Sequence, residues 1–151
     1  MTILDGLQHD LTTEHLSLIQ YIATSSPWVR RSEAAAFERL KSLRGVEIEH
    51  AQRISDMIEA LGGVPSPRVF EFWRRDLNYL SFDFLAGIAV EHHEEKIGRY
   101  AGRAEAAAEW PDVAALYRSM IEDERRKLAE LREIAAELAI APAAEAEPSG
   151  S

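Results

Sequence analysis

The sequence predicts an all-α protein: a four-helix bundle of two antiparallel helical hairpins joined by a long crossover. Ala, Glu, Leu and Arg dominate the composition, and all four residue types favour helices. Apolar residues recur at spacings of three and four, which is the period of a helix with one buried face. Segments rich in Gly, Pro and Ser divide the chain into long helical stretches.

The boundaries of the helices follow from these breaks. The first helix is expected to end at Thr24-Ser25-Ser26-Pro27, and Pro111 suits the first turn of the fourth. The 14 residues between Leu61 and Asp76 can cross the bundle and join two parallel helices. The predicted helices span about 2–23, 32–61, 76–109 and 111–140, so that 1–140 forms one bundle domain and 141–151 a disordered tail.

Composition excludes several classes of function. Lys and Arg number 17 against 26 Asp and Glu, and the net charge of −9 argues against binding nucleic acid or an anionic membrane. The absence of Cys excludes disulfides and thiolate metal sites. No apolar run approaches the ~20 residues of a membrane span, and the first residues do not resemble a signal peptide. A cytoplasmic protein is therefore expected.

Each predicted helix carries a Glu on its apolar stripe, where a bundle should bury apolar side chains. These acids lie three, four or seven residues from Leu, Ile, Phe or Met residues of the same stripe. They are Glu14, Glu47, Glu91 and Glu124, and His50 follows Glu47 by three residues, about one turn.

Four carboxylates in one core require a counter-charge, because burying unpaired carboxylates costs several kcal/mol each. A pair of divalent metals supplies it, and carboxylate oxygens with imidazole suit iron or manganese. A lone Glu on a helix is usually solvated, so the prediction rests on the joint pattern rather than on any one residue.

The segments around these acids resemble the ferritin-like superfamily, bacterioferritin most closely, over most of residues 4–135. Glu14 is followed seven residues later by Tyr21, and Glu47-Ile48-Glu49-His50-Ala51 is similar to the family's second-helix ligand motif. Glu91 and Glu124 are 33 residues apart, as are Glu14 and Glu47. The resemblance implies a ferritin-like bundle that binds iron(II) at Glu14, Glu47, His50, Glu91 and Glu124, with Tyr21 near the metals and oxygen or peroxide as the oxidant.

The sequence departs from the family at one ligand, because Lys127 stands where the resemblance implies a second His. Lys127 can swing away from an asymmetric metal pair. It can instead ion-pair with Glu91 or Glu124 and leave a mononuclear site, or balance a metal-free cluster together with His50. Glu95 is a candidate to compensate for the lost ligand. The position of the family's haem-ligating Met is Ile48 here, so no haem is expected.

Three functions follow as hypotheses. The first is iron(II) oxidation or iron handling at a di-iron or mononuclear site. The second is a small di-iron oxidoreductase, similar to rubrerythrins, that acts on peroxide or an organic substrate. The third is a metal-free helical interaction module. A homo-oligomer, at least a dimer, is expected, and a monomer or dimer with an open cavity would favour the second hypothesis.

Overall fold

The computed structural model describes residues 2–24, 29–67 and 81–140, which are helical and contain no β-strand. The described α-helices are α1 (Ile3–His15), α2 (Leu18–Thr24), α3 (Ala34–Ser42), α4 (Arg44–Ala60), α5 (Phe82–Ala106) and α6 (Pro111–Ile140), with a 3₁₀ turn at Arg31–Glu33. The prediction of an all-helical bundle is thus confirmed. Most of the predicted crossover, the first residues of the predicted third helix and the tail 141–151 lie outside the described residues.

The predicted first helix is interrupted where it passes the centre of the bundle. Leu16 ends α1, and the Ser17 hydroxyl accepts a hydrogen bond from the Gln20 amide at 3.0 Å, which caps α2. The same hydroxyl donates to the carboxylate of Glu47. Serine competes with helical hydrogen bonding in this way because its side chain reaches nearby backbone groups.

The predicted second helix is also divided, into α3 and α4. The Leu43 amide donates to the Leu40 carbonyl at 3.1 Å, which tightens the chain into a three-residue turn before α4 begins. At its far end α4 ends at Ala60, and Gly62 follows with a φ of +88°, which suits a residue without a side chain. The fourth helix begins at Pro111, as predicted.

Contacts between helices give the direction of each one. α1 runs antiparallel to both α4 and α5, and α6 runs antiparallel to both α4 and α5, so that α4 and α5 point the same way. The paired contacts are Gln8–Val64 and Ser17–Glu47 for α1 and α4, Asp10–Arg103 and Glu14–Lys96 for α1 and α5, Arg53–Ser119 and Lys127–Glu47 for α4 and α6, and Glu94–Arg132 and Tyr100–Tyr117 for α5 and α6.

The buried apolar residues form two clusters, with polar side chains between them along the helices. One cluster contains Leu7 and Leu11 of α1, and the other contains Leu18 of α2 and Leu131 of α6. On the first segment Glu14 falls between Leu11 and Leu18. The bundle therefore has an apolar half on either side of a charged layer. Among the described residues, no helix is long and apolar enough to cross a membrane.

The two apolar halves should account for much of the stability. Ile54 and Ile48 lie on the same helix, but Ile54 is fully buried whereas Ile48 is 53% exposed. We expect Ile54→Ala to lower the free energy of unfolding by about 2–5 kcal/mol, because it leaves a cavity. The matched control, Ile48→Ala, should change it by less than about 0.5 kcal/mol. Urea denaturation measures both, and equal effects would contradict the assignment of the buried face.

Candidate functional site

Seven ionisable side chains from the four helical segments meet in the charged layer. Each is buried, although the chain carries many other charged residues at its surface. They are Glu14 of α1, Glu47 and His50 of α4, His93 and Lys96 of α5, and Glu124 and Lys127 of α6, and we call them the central cluster.

The inward positions predicted for Glu14, Glu47, His50 and Glu124 are confirmed. Those predicted for Glu91 and Glu95 are wrong, because both side chains are exposed. The prediction placed Glu91 on a stripe with Phe84 and Ile88, yet Phe84 is itself 55% exposed. The buried stripe of α5 contains instead Phe82, Leu85, Ala86, Ala89, His93, Lys96, Tyr100 and Ala104.

Lys96 places its ammonium group among all three carboxylates. Its Nζ lies 3.1 Å from Oε1 of Glu14, 3.1 Å from Oε1 of Glu124 and 3.7 Å from Oε2 of Glu47. Burial lowers the pKa of Lys96, but the attraction of Glu14, Glu124 and Glu47 raises it by more. The pKa of Lys96 therefore lies above its ordinary value. Lys96 is therefore a fixed cation of the central cluster at neutral pH.

Lys127 bridges the other side of the central cluster. Its Nζ lies 3.2 Å from Oε2 of Glu47 and 3.1 Å from both oxygens of Glu124. Of the arrangements open to Lys127 from the sequence, the structure shows the ion pair with Glu124. The second partner is Glu47 rather than Glu91, which faces outward.

His50 connects the central cluster to the bundle surface. Its Nε2 lies 3.0 Å from Oδ2 of Asp123, and its Nδ1 lies 3.3 Å from Oε1 of Glu124 and 3.8 Å from Oε1 of Glu14. Burial lowers the pKa of His50, but the three carboxylates raise it by more, to about 9. The imidazolium of His50 and the two ammonium groups thus balance the three buried carboxylates.

His93 enters the central cluster from α5 with one nitrogen already engaged. Its Nδ1 lies 2.8 Å from the carbonyl oxygen of Ala89, so that Nδ1 carries the proton and donates it. Its Nε2 points inward, 3.5 Å from Oε2 of Glu47 and 3.7 Å from Oε2 of Glu124. His93 is only 1% exposed.

The cations keep the buried carboxylates ionised. Burial raises the pKa of Glu47, but Lys127, His93 and Lys96 lower it by more, to about 2. The same two effects act on Glu14 and Glu124: burial raises the pKa of each carboxyl group, and the neighbouring cations lower it by more. The pKa of each therefore lies below its ordinary value. A carboxylate without such partners would have a raised pKa in this position.

A tyrosine on α5 completes the polar contacts of the central cluster. The Tyr100 hydroxyl donates to Oε1 of Glu14 at 2.5 Å, and its ring packs edge-on against Tyr117, whose hydroxyl donates to Asp10 at 2.6 Å. Tyr21, expected beside the metals, is buried in the apolar cluster that contains Leu18.

Three of the carboxylate and imidazole groups lie close enough together that they could hold a metal ion. Glu14, His50 and Glu124 each offer a ligand atom, and these atoms lie within 4.8 Å of one another. Three buried side-chain atoms have no hydrogen-bond partner within the described residues: Nδ1 of His50, Nε2 of His93 and Oε2 of Glu124. Unpartnered buried polar atoms are uncommon and call for an explanation, such as an ion.

Comparison of this chain with known protein families, with curated proteins and with solved structures found no match.

Sequence reasoning missed His93, Lys96, Tyr100 and the role of Ser17. The signal for the first three was present, because Ala86, Ala89, His93, Lys96 and Tyr100 follow one another at helical spacing. The prediction placed the inward face on the stripe that contains Phe84, Ile88 and Glu91, and a buried Lys is rare. No local signal showed that Ser17 would interrupt the first helix.

Removing one cation from the central cluster should destabilise the fold. We expect Lys96→Met to lower the free energy of unfolding by about 3–5 kcal/mol, because Glu14 and Glu124 lose their nearest counter-charge. The control is Arg125→Met, which removes a surface ion pair with Glu122 and should have little effect. Urea denaturation of the metal-free variants measures both, and a neutral Lys96→Met would show that Lys96 does not balance the central cluster.

The charge on His50 should appear in the pH dependence of stability. The folded pKa of about 9 exceeds the ordinary 6.5, so the imidazolium stabilises fully below pH 6.5. This contribution is lost as pH rises from 6.5 through 9. The free energy of unfolding of the chelator-treated wild type should therefore fall over that range more steeply than that of His50→Gln. Parallel curves would contradict a raised pKa.

Proposed function

We propose that this chain is a ferritin-like protein that binds a divalent cation at Glu14, His50 and Glu124, with iron(II) as the first candidate. The convergence of these three ligand groups in a buried layer is the observation that carries the proposal. The directions of the helices support it, because parallel α4 and α5 suit a bundle of two hairpins joined by a crossover.

The surroundings of His50 are those of a metal-ligating histidine. Such a residue usually donates its outer ring N–H to a carboxylate or carbonyl, which orients the other nitrogen toward the metal. His50 does this through Asp123, and its inner Nδ1 faces Glu14 and Glu124 and has no hydrogen-bond partner in the described part of the chain. Two carboxylates and one imidazole form a donor set that suits iron(II) or manganese(II).

An entering cation has to compete with Lys96. The Lys96 ammonium lies between Glu14 and Glu124 at 3.1 Å from each, and its charge repels a metal ion there. A cavity of about 410 Å³ adjoins Lys96 between α1 and α5 and offers space for the displaced side chain. Binding of a cation in the ligand set would also favour the neutral form of His50, so metal affinity should rise with pH.

Iron(II) at this position would be a substrate for oxidation and handling, with oxygen or peroxide as the electron acceptor. The chain would contribute buried carboxylates, which favour the higher charge of the oxidised ion. The two apolar clusters would enclose the ion on either side of the charged layer. The cavity beside Lys96 and His93 also has room for a small oxidant or an organic substrate, as the rubrerythrin-like alternative requires.

A metal-free bundle is the second candidate, and the ion pairs of Lys96 and Lys127 favour it. With His50 protonated, these residues already neutralise Glu14, Glu47 and Glu124. The central cluster would then serve to hold the helices in register, and the function would belong to the surface of the bundle. This candidate differs from the first in one measurable property, which is whether the wild type takes up a divalent cation.

The discriminating experiment is anaerobic loading with iron(II), followed by desalting and measurement of iron per chain. We expect the wild type to retain iron, and His50→Gln and Glu124→Gln to lose it, because each removes a ligand atom. The control is Glu91→Gln, which changes an exposed acid and should retain iron as the wild type does. Folded wild-type protein that retains neither iron(II) nor manganese(II) would overturn the proposal in favour of the metal-free bundle.

A further inference from the structure

The cavity between α1 and α5 differs in charge from the rest of the protein. Lys96 and Arg99 line it together with three histidines, and Glu95 is the one acid among the described residues that line it. Over the whole chain the acids outnumber Lys and Arg by 26 to 17. The cavity is therefore a basic recess in an acidic protein, and a recess of this kind attracts anions.

Arg99 is the residue of this lining that can hold an anion, because the ammonium group of Lys96 is already engaged by the central cluster. The guanidinium of Arg99 donates through Nε to Oδ1 of Asp10 at 3.1 Å and through Nη2 to Oγ1 of Thr13 at 3.2 Å. A guanidinium has five N–H donors. Within the described residues, the two donors of Nη1 and the second donor of Nη2 are thus left for a ligand.

The surroundings of Arg99 hold its guanidinium in one orientation. Besides its hydrogen bonds, it lies over the ring of Tyr100, with 5.7 Å between Cζ and the ring centroid. Asp10 does not depend on Arg99 alone, since it also accepts hydrogen bonds from Arg103 at 2.7 and 3.3 Å and from Tyr117 at 2.6 Å. The side chain of Arg99 is 25% exposed. An anion can therefore reach a group that is already oriented, which lowers the entropic cost of binding.

The same cavity has an apolar wall. Leu16 and Leu18, on either side of the interruption between α1 and α2, both line it. Its volume of about 410 Å³ lies within the range of roughly 300–1,000 Å³ that is usual for small-molecule sites. A polar anchor beside an apolar wall is also the usual composition of such sites.

We propose that this cavity binds a small organic monocarboxylate, whose carboxylate group is held by Arg99 and whose apolar body packs on Leu16 and Leu18. A planar carboxylate matches two parallel N–H groups of a guanidinium. Glu95 repels a doubly charged phosphate about twice as strongly as a monocarboxylate. The inference goes beyond the proposed function, because none of the cavity residues is one of the three proposed cation ligands.

The test is a calorimetric titration of the chelator-treated wild type with benzoate. Benzamide, acetate and inorganic phosphate serve as comparison ligands. We expect benzoate to bind at least tenfold more tightly than each of them. Benzamide has the same shape without the charge, acetate lacks the apolar body, and phosphate is repelled by Glu95. Nuclear Overhauser effects between the benzoate ring and the methyl groups of Leu16 and Leu18 establish where it binds.

Variants of Arg99 test the anchor. Arg99→Gln should weaken the binding of benzoate at least tenfold, because it removes the charge and the paired N–H donors. The matched control is Arg125→Gln, which makes the same change of charge at an exposed residue of α6 and should leave the affinity unchanged. Arg99→Lys retains a cation beside Asp10 and should also bind more weakly than the wild type. It serves as the anchor variant if circular dichroism shows that Arg99→Gln is unfolded.

The ligand series decides the inference without any variant. Equal affinities for benzoate and benzamide would show an apolar cavity and overturn the assignment of an anion. Phosphate that binds as tightly as benzoate would overturn the assignment of a monocarboxylate, and so would a wild type that binds none of the four ligands. Because the titrated protein is metal-free, these results do not depend on the proposed cation site, and a failure of iron(II) uptake would leave them standing.

Discussion

The burial of three carboxylates in one layer is the constraint on which this structure depends. Glu14, Glu47 and Glu124 are fully buried, and their mutual repulsion in a medium of low dielectric would oppose folding unless cations lie within a few ångströms. Lys96 and Lys127 supply these cations from α5 and α6. The pairs Lys96–Glu14, Lys96–Glu124 and Lys127–Glu47 each join two different helical segments, so the charge balance also fixes how the segments align.

The remainder of the fold is arranged around this layer. Apolar clusters lie on both sides of it and exclude water, which strengthens every ion pair within it. The first helix is interrupted at Ser17, whose hydroxyl both caps α2 and donates to Glu47. The interruption thus satisfies a carboxylate oxygen, at the cost of helical continuity.

Two kinds of cation can neutralise the carboxylates of the central cluster. One is the ammonium groups of Lys96 and Lys127, and the other is a divalent cation from solution. The attached lysines neutralise the carboxylates, but among residues 2–24, 29–67 and 81–140 the inner nitrogens of His50 and His93 find no hydrogen-bond partner. A divalent cation would satisfy those nitrogens but has to displace an ammonium. The balance between the two states depends on the room available to each lysine. One cavity adjoins Lys96, and a separate cavity is lined by Lys127.

Local patterns were enough to predict the helical fold and most of the buried carboxylates, because periodic apolar residues and a Glu on the apolar stripe can be read from spacing within one segment. It predicted Glu14, Glu47, His50 and Glu124 at buried positions, and it identified Lys127 as the residue that changes the chemistry. Which face of α5 is buried depends on contacts between helices and could not be predicted from its own sequence. Two faces of that helix carry apolar residues, and the choice between them depends on which face the carboxylates of other helices attract. Lys96 faces inward because it is their counter-charge, a pairing between residues far apart in sequence that local spacing does not contain.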